Sequence, residues 1–297
     1  MATFLHTRQF LSYHRDRFED LSVLVENDRN ELVAVMPAAR DPASLTTATS
    51  HPGTTYGGIV HCGLTGRPML AALHACCAHF AQRGCTLLRY KVVPSIYRRS
   101  PCEDDLHALF MLGANRYRCD LSASVDLAQL PALGSQRRRG LRKACAAGVE
   151  VNLDARAQLA DFWEVLAANL YQRHGASPVH CVEEMDELMR RFPDNIRLAV
   201  ATAGIAEPIL AGTVLFLTSR VAHVQYVAAT PEGRQAGATD LLFDQCIAQA
   251  RAAAFQHFDF GISTEAGGRT LNYGLHEYKM GFGATGVIHD FYELEIA

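Results

Sequence analysis

Four stretches of the sequence carry residue types that could do chemistry. In the first, Pro231-Glu-Gly-Arg-Gln-Ala-Gly-Ala-Thr239 stands between a strand-like apolar run at 221–229 and a helix-like run from 239. Small residues there let backbone N–H groups approach phosphate oxygens, a helix N-terminus adds partial positive charge, and Arg234 adds a forked donor. Residues 231–242 are therefore a candidate anion loop, with Arg234, Gly237, Ala238 and Thr239 as its contacts. In the second, the run before that loop, strand alternation places His223, Gln225 and Val227 on one face and Val224 and Tyr226 on the other. His223 and Gln225 read either as substrate contacts or as an ordinary polar sheet face. The third combines His51-Pro-Gly-Thr-Thr-Tyr56 with Arg89-Tyr90-Lys91. Two tyrosines offer stacking faces and a lysine offers charge, so His51, Tyr56, Tyr90 and Lys91 are candidate acceptor contacts, although each taken singly packs as readily inside a core. In the fourth, Gln136-Arg-Arg-Arg-Gly-Leu-Arg-Lys143, a helix would stack Arg138 over Arg142 and Arg139 over Lys143. That segment reads as a solvated connector or as a clamp for a phosphate-bearing substrate or an RNA end.

Other chemistries find no foothold. The sequence has no H-E-x-x-H, G-x-S-x-G or G-x-x-x-x-G-K-[ST], which disfavours zinc-protease, serine-hydrolase and P-loop mechanisms. The thirteen histidines show no metal-ligand spacing, and no metal is expected.

The elements that must position these residues come next. At 297 residues the chain exceeds what one core comfortably supports, so two domains are expected. Hydrophobic residues at 49% and charged residues at 20% are globular proportions, and a net charge of −3 argues against a general polyanion binder. No signal-peptide core and no run of about 18 apolar residues occurs, so no membrane span is expected. Nine irregularly spaced cysteines fit reduced thiols in a cytoplasmic protein. Periodicity predicts strands at 21–27, 32–38, 85–93 and 115–125 and helices at 67–83 and 103–112 in the first half. In the second half it predicts helices at 157–172, 182–192, 239–254 and 271–280, and strands at 196–202, 209–218, 221–229, 257–263 and 286–296. The strand after the long helix begins at Cys85 in one half and His257 in the other. The Gly-Ala after the short helix is Gly113-Ala114 and then Gly283-Ala284, so the landmarks recur at nearly equal offsets. A duplicated α/β (α+β) domain follows. Sequential hairpin strands and a parallel crossover give each copy a mixed sheet, splayed where the two meet, and ligands favour such a point.

The C-terminal half resembles the FemAB-like branch of the GNAT acyltransferase superfamily. The resemblance rests on Ala222-His-Val-Gln-Tyr-Val-Ala-Ala229 with the loop after it, on Phe258-Asp-Phe-Gly261, on Leu275-His-Glu-Tyr-Lys-Met-Gly-Phe-Gly283, on Arg173-His-Gly-Ala-Ser-Pro-Val179, and on the basic segment followed by Gly148-Val-Glu-Val151. It spans roughly 135–297, and before that only the order of elements carries it. It implies two tandem GNAT-like domains: 1–134, acceptor-binding, and 135–297, donor-binding, with 135–151 as a basic connector. It implies that Arg234, Gly237, Ala238 and Thr239 hold an acyl-CoA pyrophosphate, although Thr239 departs from the small residue of the family pattern. It further implies that Val227 or Ala228 supplies the oxyanion N–H, that Gln225 orients the amine, that Tyr273 acts as general acid, and that Lys279 contacts phosphate or stabilises negative charge near the carbonyl. Glu265 and Glu277 are nearby base candidates, and Arg173 and His223 candidate substrate contacts.

The resulting expectation is a cytoplasmic acyltransferase. It would move an acyl group from acyl-CoA to the amine of a sugar-like or amino-acid-like acceptor, such as an envelope or polysaccharide precursor. One alternative is a Fem-type peptidyltransferase using aminoacyl-tRNA. Another is a binding module that keeps the GNAT fold without turnover.

Overall fold

Apolar periodicity and its interruptions set the element boundaries in the computed structural model, which describes residues 2–129, 132–204 and 207–296. After short helical turns that include α1 (Arg8–Leu11), β1 (Val23–Glu26) and β2 (Leu32–Met36) form an antiparallel hairpin, turned where Asn30 takes φ 59°. Pro37, which cannot donate to a ladder, separates β2 from β3 (Ala39–Asp41). β4 (Ser44–Thr49) and β5 (Val60–His61) precede α2 (Arg67–Gln82), whose buried stripe is Met69, Leu73, Cys76, Cys77 and Phe80. β6 (Leu87–Lys91), α3 (Asp104–Met111) and β7 (Asn115–Asp126) complete the first run. The second begins with α4 (Ser135–Ala146), β8 (Glu150–Asn152), α5 (Leu159–His174) and α6 (Val182–Arg191). The meander β9 (Ile196–Thr202), β10 (Ile209–Leu217) and β11 (Val221–Ala229) follows, then α7 (Pro231–Ala236), α8 (Ala238–Ala252) and β12 (His257–Ile262). The hairpin β13 (Thr264–Glu265) and β14 (Thr270–Leu271), α9 (Tyr273–Met280) and β15 (Thr285–Glu295) end the chain. No helix among the described residues is long and apolar enough to cross a membrane.

The chain divides into two units. The first is Met1–Leu121 with Thr264–Leu271 and Val287–Ala297. Its main sheet has the order β3-β4-β6-β15-β7, with β4 and β6 parallel and β6 and β15 antiparallel; β1, β2 and β5 form a separate three-stranded sheet. Met36, Met69, Leu73, Phe80, Leu88, Tyr90 and Leu109 fill its core. The second unit is Ser122–Ser263 with Asn272–Gly286. Its sheet runs from residues 122–126 of β7 through β12, β11, β10 and β9 to β8. It is antiparallel except for β11 and β12, which run parallel around the α8 crossover.

Each run thus contains a parallel strand pair around a long helix, then a short helix and a last strand. The units do not follow the linear division 1–134 and 135–297. β15 pairs along β6, so the last strand of the second run belongs to the first unit, and residues 122–126 of β7 pair with β12 in the second. The expected single mixed sheet also yields in the first half: the β1–β2 hairpin leaves the main sheet at Pro37 and pairs with β5 instead.

Candidate functional site

The site begins with a strand that loses its neighbour. β11 and β12 pair only at 221–223 and 257–259, while β10 follows β11 to Ala229. From residue 224 onward one edge of β11 has no strand partner, and in such a strand every other N–H points into the gap. A pocket of about 270 Å³ occupies the gap. Val224, Phe243 and Phe260, all buried, line its inner end, and Val227, Ala228, Ala229, Leu275, Tyr278 and Lys279 line it further along. Asn169, Arg173, Arg234 and Thr239 supply its polar lining beside α7 and α8.

A buried network accompanies the divergence. The Asp259 carboxylate accepts from the Ser122 hydroxyl at 2.6 Å, from His223 Nδ1 at 2.9 Å and from the Gly261 N–H at 3.1 Å. Gly261 has φ 76°, a left-handed turn that glycine adopts without strain. It presents its carbonyl, with that of Ile262, to the Lys279 ammonium at 2.8 and 2.7 Å. Burial pulls Lys279 down to about 8 against the opposing pull of Asp259. Two of its three N–H donors are thereby used, and the side chain still lines the pocket.

The anion loop is a helical turn. Pro231 sits at the first helical position and Thr230 accepts from the Gly233 N–H at 3.0 Å, a capped start for α7. Gly237, at φ 77°, then ends α7 and opens α8. A Cβ on Gly233 would stand 1.9 Å from the Leu210 carbonyl oxygen, and one on Gly237 would stand 2.6 Å from that of Gly140. Arg234 donates to Asn169 at 3.1 Å and to the Ala229 carbonyl.

Of the sequence candidates, the structure gathers Val227, Ala228, Arg173, Arg234, Thr239 and Lys279 around one pocket. Gly237 and Ala238 form the α7–α8 junction without lining it. Gln225 does not line it either: a bulge opposes Val214 to Tyr226 and Leu215 to Val224, leaving Gln225 as the extra residue with a buried, unpartnered Oε1. The bulge breaks the alternation assumed from sequence, so Val224 and Val227 share the pocket while Tyr226 packs on Trp163 and bonds His180. His223 is buried on Asp259 instead of facing a substrate.

Tyr273 is 72% exposed at the start of α9 and does not line the pocket. The tyrosine that does is Tyr278, which lies within the motif Leu275–Gly283 but which the sequence pattern does not single out. Its hydroxyl donates to Asp240 at 3.1 Å, Arg137 pairs with Asp240 and lies 4.1 Å over the Tyr278 ring, and burial beside Asp240 holds the phenol far above its usual range. Glu277 is exposed and outside the pocket, and Glu265 lies on β13 in the first unit. Among the described side chains, no carboxylate or imidazole lines the pocket.

The first-unit candidates are core groups. Lys91 donates to the carbonyls of His51 (3.2 Å), Pro52 (3.3 Å) and Thr54, tying down the 51–56 loop, and burial lowers it to about 8. Tyr90 is fully buried, accepting from Ile59 N–H and donating to Asp105. Tyr56 is buried against Tyr97, and His51, at φ 61°, is buried beside His14.

Residues 134–280 match the family model of an acetyltransferase (GNAT) domain. No curated protein matches the chain in sequence. Among solved structures, FemX is 12% identical, with 98% of this chain and 92% of FemX covered at TM-score 0.69. L-PGS from Bacillus licheniformis is 12% identical, with 92% and 84% covered at TM-score 0.61. A tandem GNAT protein from the clavulanic acid biosynthesis pathway is 12% identical, with 95% and 86% covered at TM-score 0.54. At these identities the likeness is one of fold.

Proposed function

We propose that this chain, whose residues 134–280 match the family model of an acetyltransferase (GNAT) domain, moves an acyl group from an acyl-CoA thioester to the amine of a sugar-like or amino-acid-like acceptor. The observation that carries this reading is the pocket at the open edge of β11. A thioester carbonyl lying there meets backbone N–H groups of 224–229 on one side and the Lys279 ammonium on the other. Arg234, Thr239 and the start of α8 offer donors for a phosphate tail. The acceptor amine attacks the carbonyl carbon, the carbon–sulfur bond breaks, and the thiolate leaves as the amide forms. One proton leaves the amine and one reaches the sulfur. The amine proton passes to water, and Lys279 is the group placed to protonate sulfur. The resemblance to Fem-type proteins favours an envelope or polysaccharide precursor as acceptor.

Thermal unfolding with acetyl- and longer acyl-CoA tests the donor. A ligand at 100 times its dissociation constant adds about 2.7 kcal/mol, and Arg234→Ala should weaken the shift. No shift with any CoA ester at millimolar concentration ends this reading. An aminoacyl-tRNA donor is the second reading. It is favoured by α4, where Arg138, Arg139, Arg142 and Lys143 are exposed with no carboxylate partner among the described residues. Salt-sensitive binding of charged tRNA, lost in Arg138→Glu with Arg142→Glu, is its expected mark.

A further inference from the structure

A second pocket, of about 180 Å³, lies in the first unit where residues 116–119 of β7 meet the β13–β14 turn. Ala266, Gly267 and Gly268 take φ 50°, 63° and 85° in succession, and a Cβ on Gly268 would stand 2.0 Å from the Cys119 carbonyl oxygen. The turn is therefore pressed on the β7 backbone at a position only glycine can fill. That contact brings Arg269 to the same pocket as Arg116 and Arg118.

The charges there are layered. Among the described residues, no carboxylate lines the pocket. Asp120 holds Arg118 at 2.6 Å and Asp290 reaches Arg116 at 3.4 Å. The two carboxylates are only 3% and 16% exposed, against 38% and 54% for their arginines, so they stand behind the guanidiniums. Arg118 is fixed further, lying 4.5 Å over the Phe291 ring, and Asp120 is fixed by the Thr264 hydroxyl at 2.8 Å. Arg269 is exposed and has no carboxylate partner among the described residues. A planar fork backed on one edge by a carboxylate keeps its remaining N–H donors for a ligand oxygen.

We propose that this pocket binds a phosphate or diphosphate group. Three guanidiniums with no lining carboxylate suit a multiply charged tetrahedral anion with several acceptor oxygens better than a carboxylate, which one fork satisfies. The site is independent of the donor pocket and stands whether or not the transferase reading does.

Calorimetric titration of the full chain with inorganic pyrophosphate tests it, with inorganic phosphate and succinate as further arms. Each titration is run on the native chain and on Arg234→Ala, which disables the donor loop. A site that survives Arg234→Ala is expected. Its dissociation constant should rise about 10- to 100-fold in Arg269→Ala, the loss of charge-assisted bonds from one exposed fork, with a similar rise in Arg118→Lys, which keeps the charge but loses the fork. Affinity should fall with added salt. Three results overturn the proposal: no pyrophosphate binding at millimolar concentration in the Arg234→Ala chain, binding there that Arg269→Ala leaves unchanged, or succinate binding as tightly as pyrophosphate.

Discussion

Lys279 does two jobs that separate under measurement. Its ammonium closes the Gly261 and Ile262 carbonyls, and it lines the pocket. In Lys279→Met the carbonyls lose that donor, at about 1–3 kcal/mol for each buried polar group left unpaired, which a denaturant midpoint reads. If the ammonium also stabilises the developing oxyanion, turnover should fall by roughly 10²–10³ as well. A stability loss with turnover intact would leave Lys279 a structural residue. With Lys279 lowered to about 8, kcat/KM should decline above about pH 8 as the ammonium is lost, an alkaline limb absent from the residual activity of the Met variant. Histidine works in the opposite pH direction in the first unit. Burial lowers His6 to about 4 and His51 to about 3, with the nearby His14 adding to the effect at His51. Below pH 6.5 the unfolded chain takes up protons that the folded chain refuses, so stability is lost as pH falls from 6.5 toward 4. Each residue contributes about 1.4 kcal/mol per pH unit across that window. Urea midpoints between pH 7 and 4.5 should show the slope. His51→Asn, which tolerates the left-handed φ of 61°, should flatten it by about one residue's share.

At the scale of elements, glycines with similar φ have different costs because their surroundings differ. Gly84, after α2, has φ 78° with nothing near a would-be Cβ, so Gly84→Ala should cost only the left-handed penalty, about 1 kcal/mol. Gly237 has φ 77°, and its Cβ would meet the α4 backbone at 2.6 Å, so Gly237→Ala must also push α8 from α4 and should cost clearly more. It should weaken acyl-CoA binding too, whereas Gly84→Ala should leave binding alone; paired melting curves with and without ligand decide both. The same contrast explains what the sequence disclosed. The stripe of α2 and the meander β9–β11 depend on local periodicity and could be read within a residue or two. Pro231-Glu-Gly looked like a loop, yet a proline at the first helical position behind a capping threonine starts a helix as readily. The bulge at Gln225 was invisible because alternation gives no sign of an extra residue in one strand. Lys91 and Tyr90 looked like cleft groups because residue type does not tell a lysine that binds substrate from one that closes three backbone carbonyls. Lys279, Arg234 and the 227–228 edge, which the family motif singles out, do line one pocket.

For the whole molecule, sequence and contacts disagree on where to cut. A break after residue 134 looks natural, since a proline-containing stretch is followed by a basic helix and by the start of the family match. Contacts place residues 122–126 of β7 beside β12, with Val125 and Ala123 fully buried in the second core, and give β15 to β6 in the first. Strand pairing between residues more than a hundred positions apart leaves no local trace, which is why contacts divide the chain differently from the sequence. The disagreement makes a direct prediction. A fragment of residues 122–286 holds every residue of the second unit, with 264–271 as an excursion, and should unfold cooperatively and respond to acyl-CoA. A fragment of residues 135–297, cut at the apparent boundary, exposes the β12 edge that 122–126 covers and carries β15 without β6. Unsatisfied strand edges promote aggregation, so this C-terminal piece should be the less soluble and should lack a sharp transition by circular dichroism. If 135–297 melts cooperatively while 122–286 does not, the strand assignments at β7 and β15 are wrong.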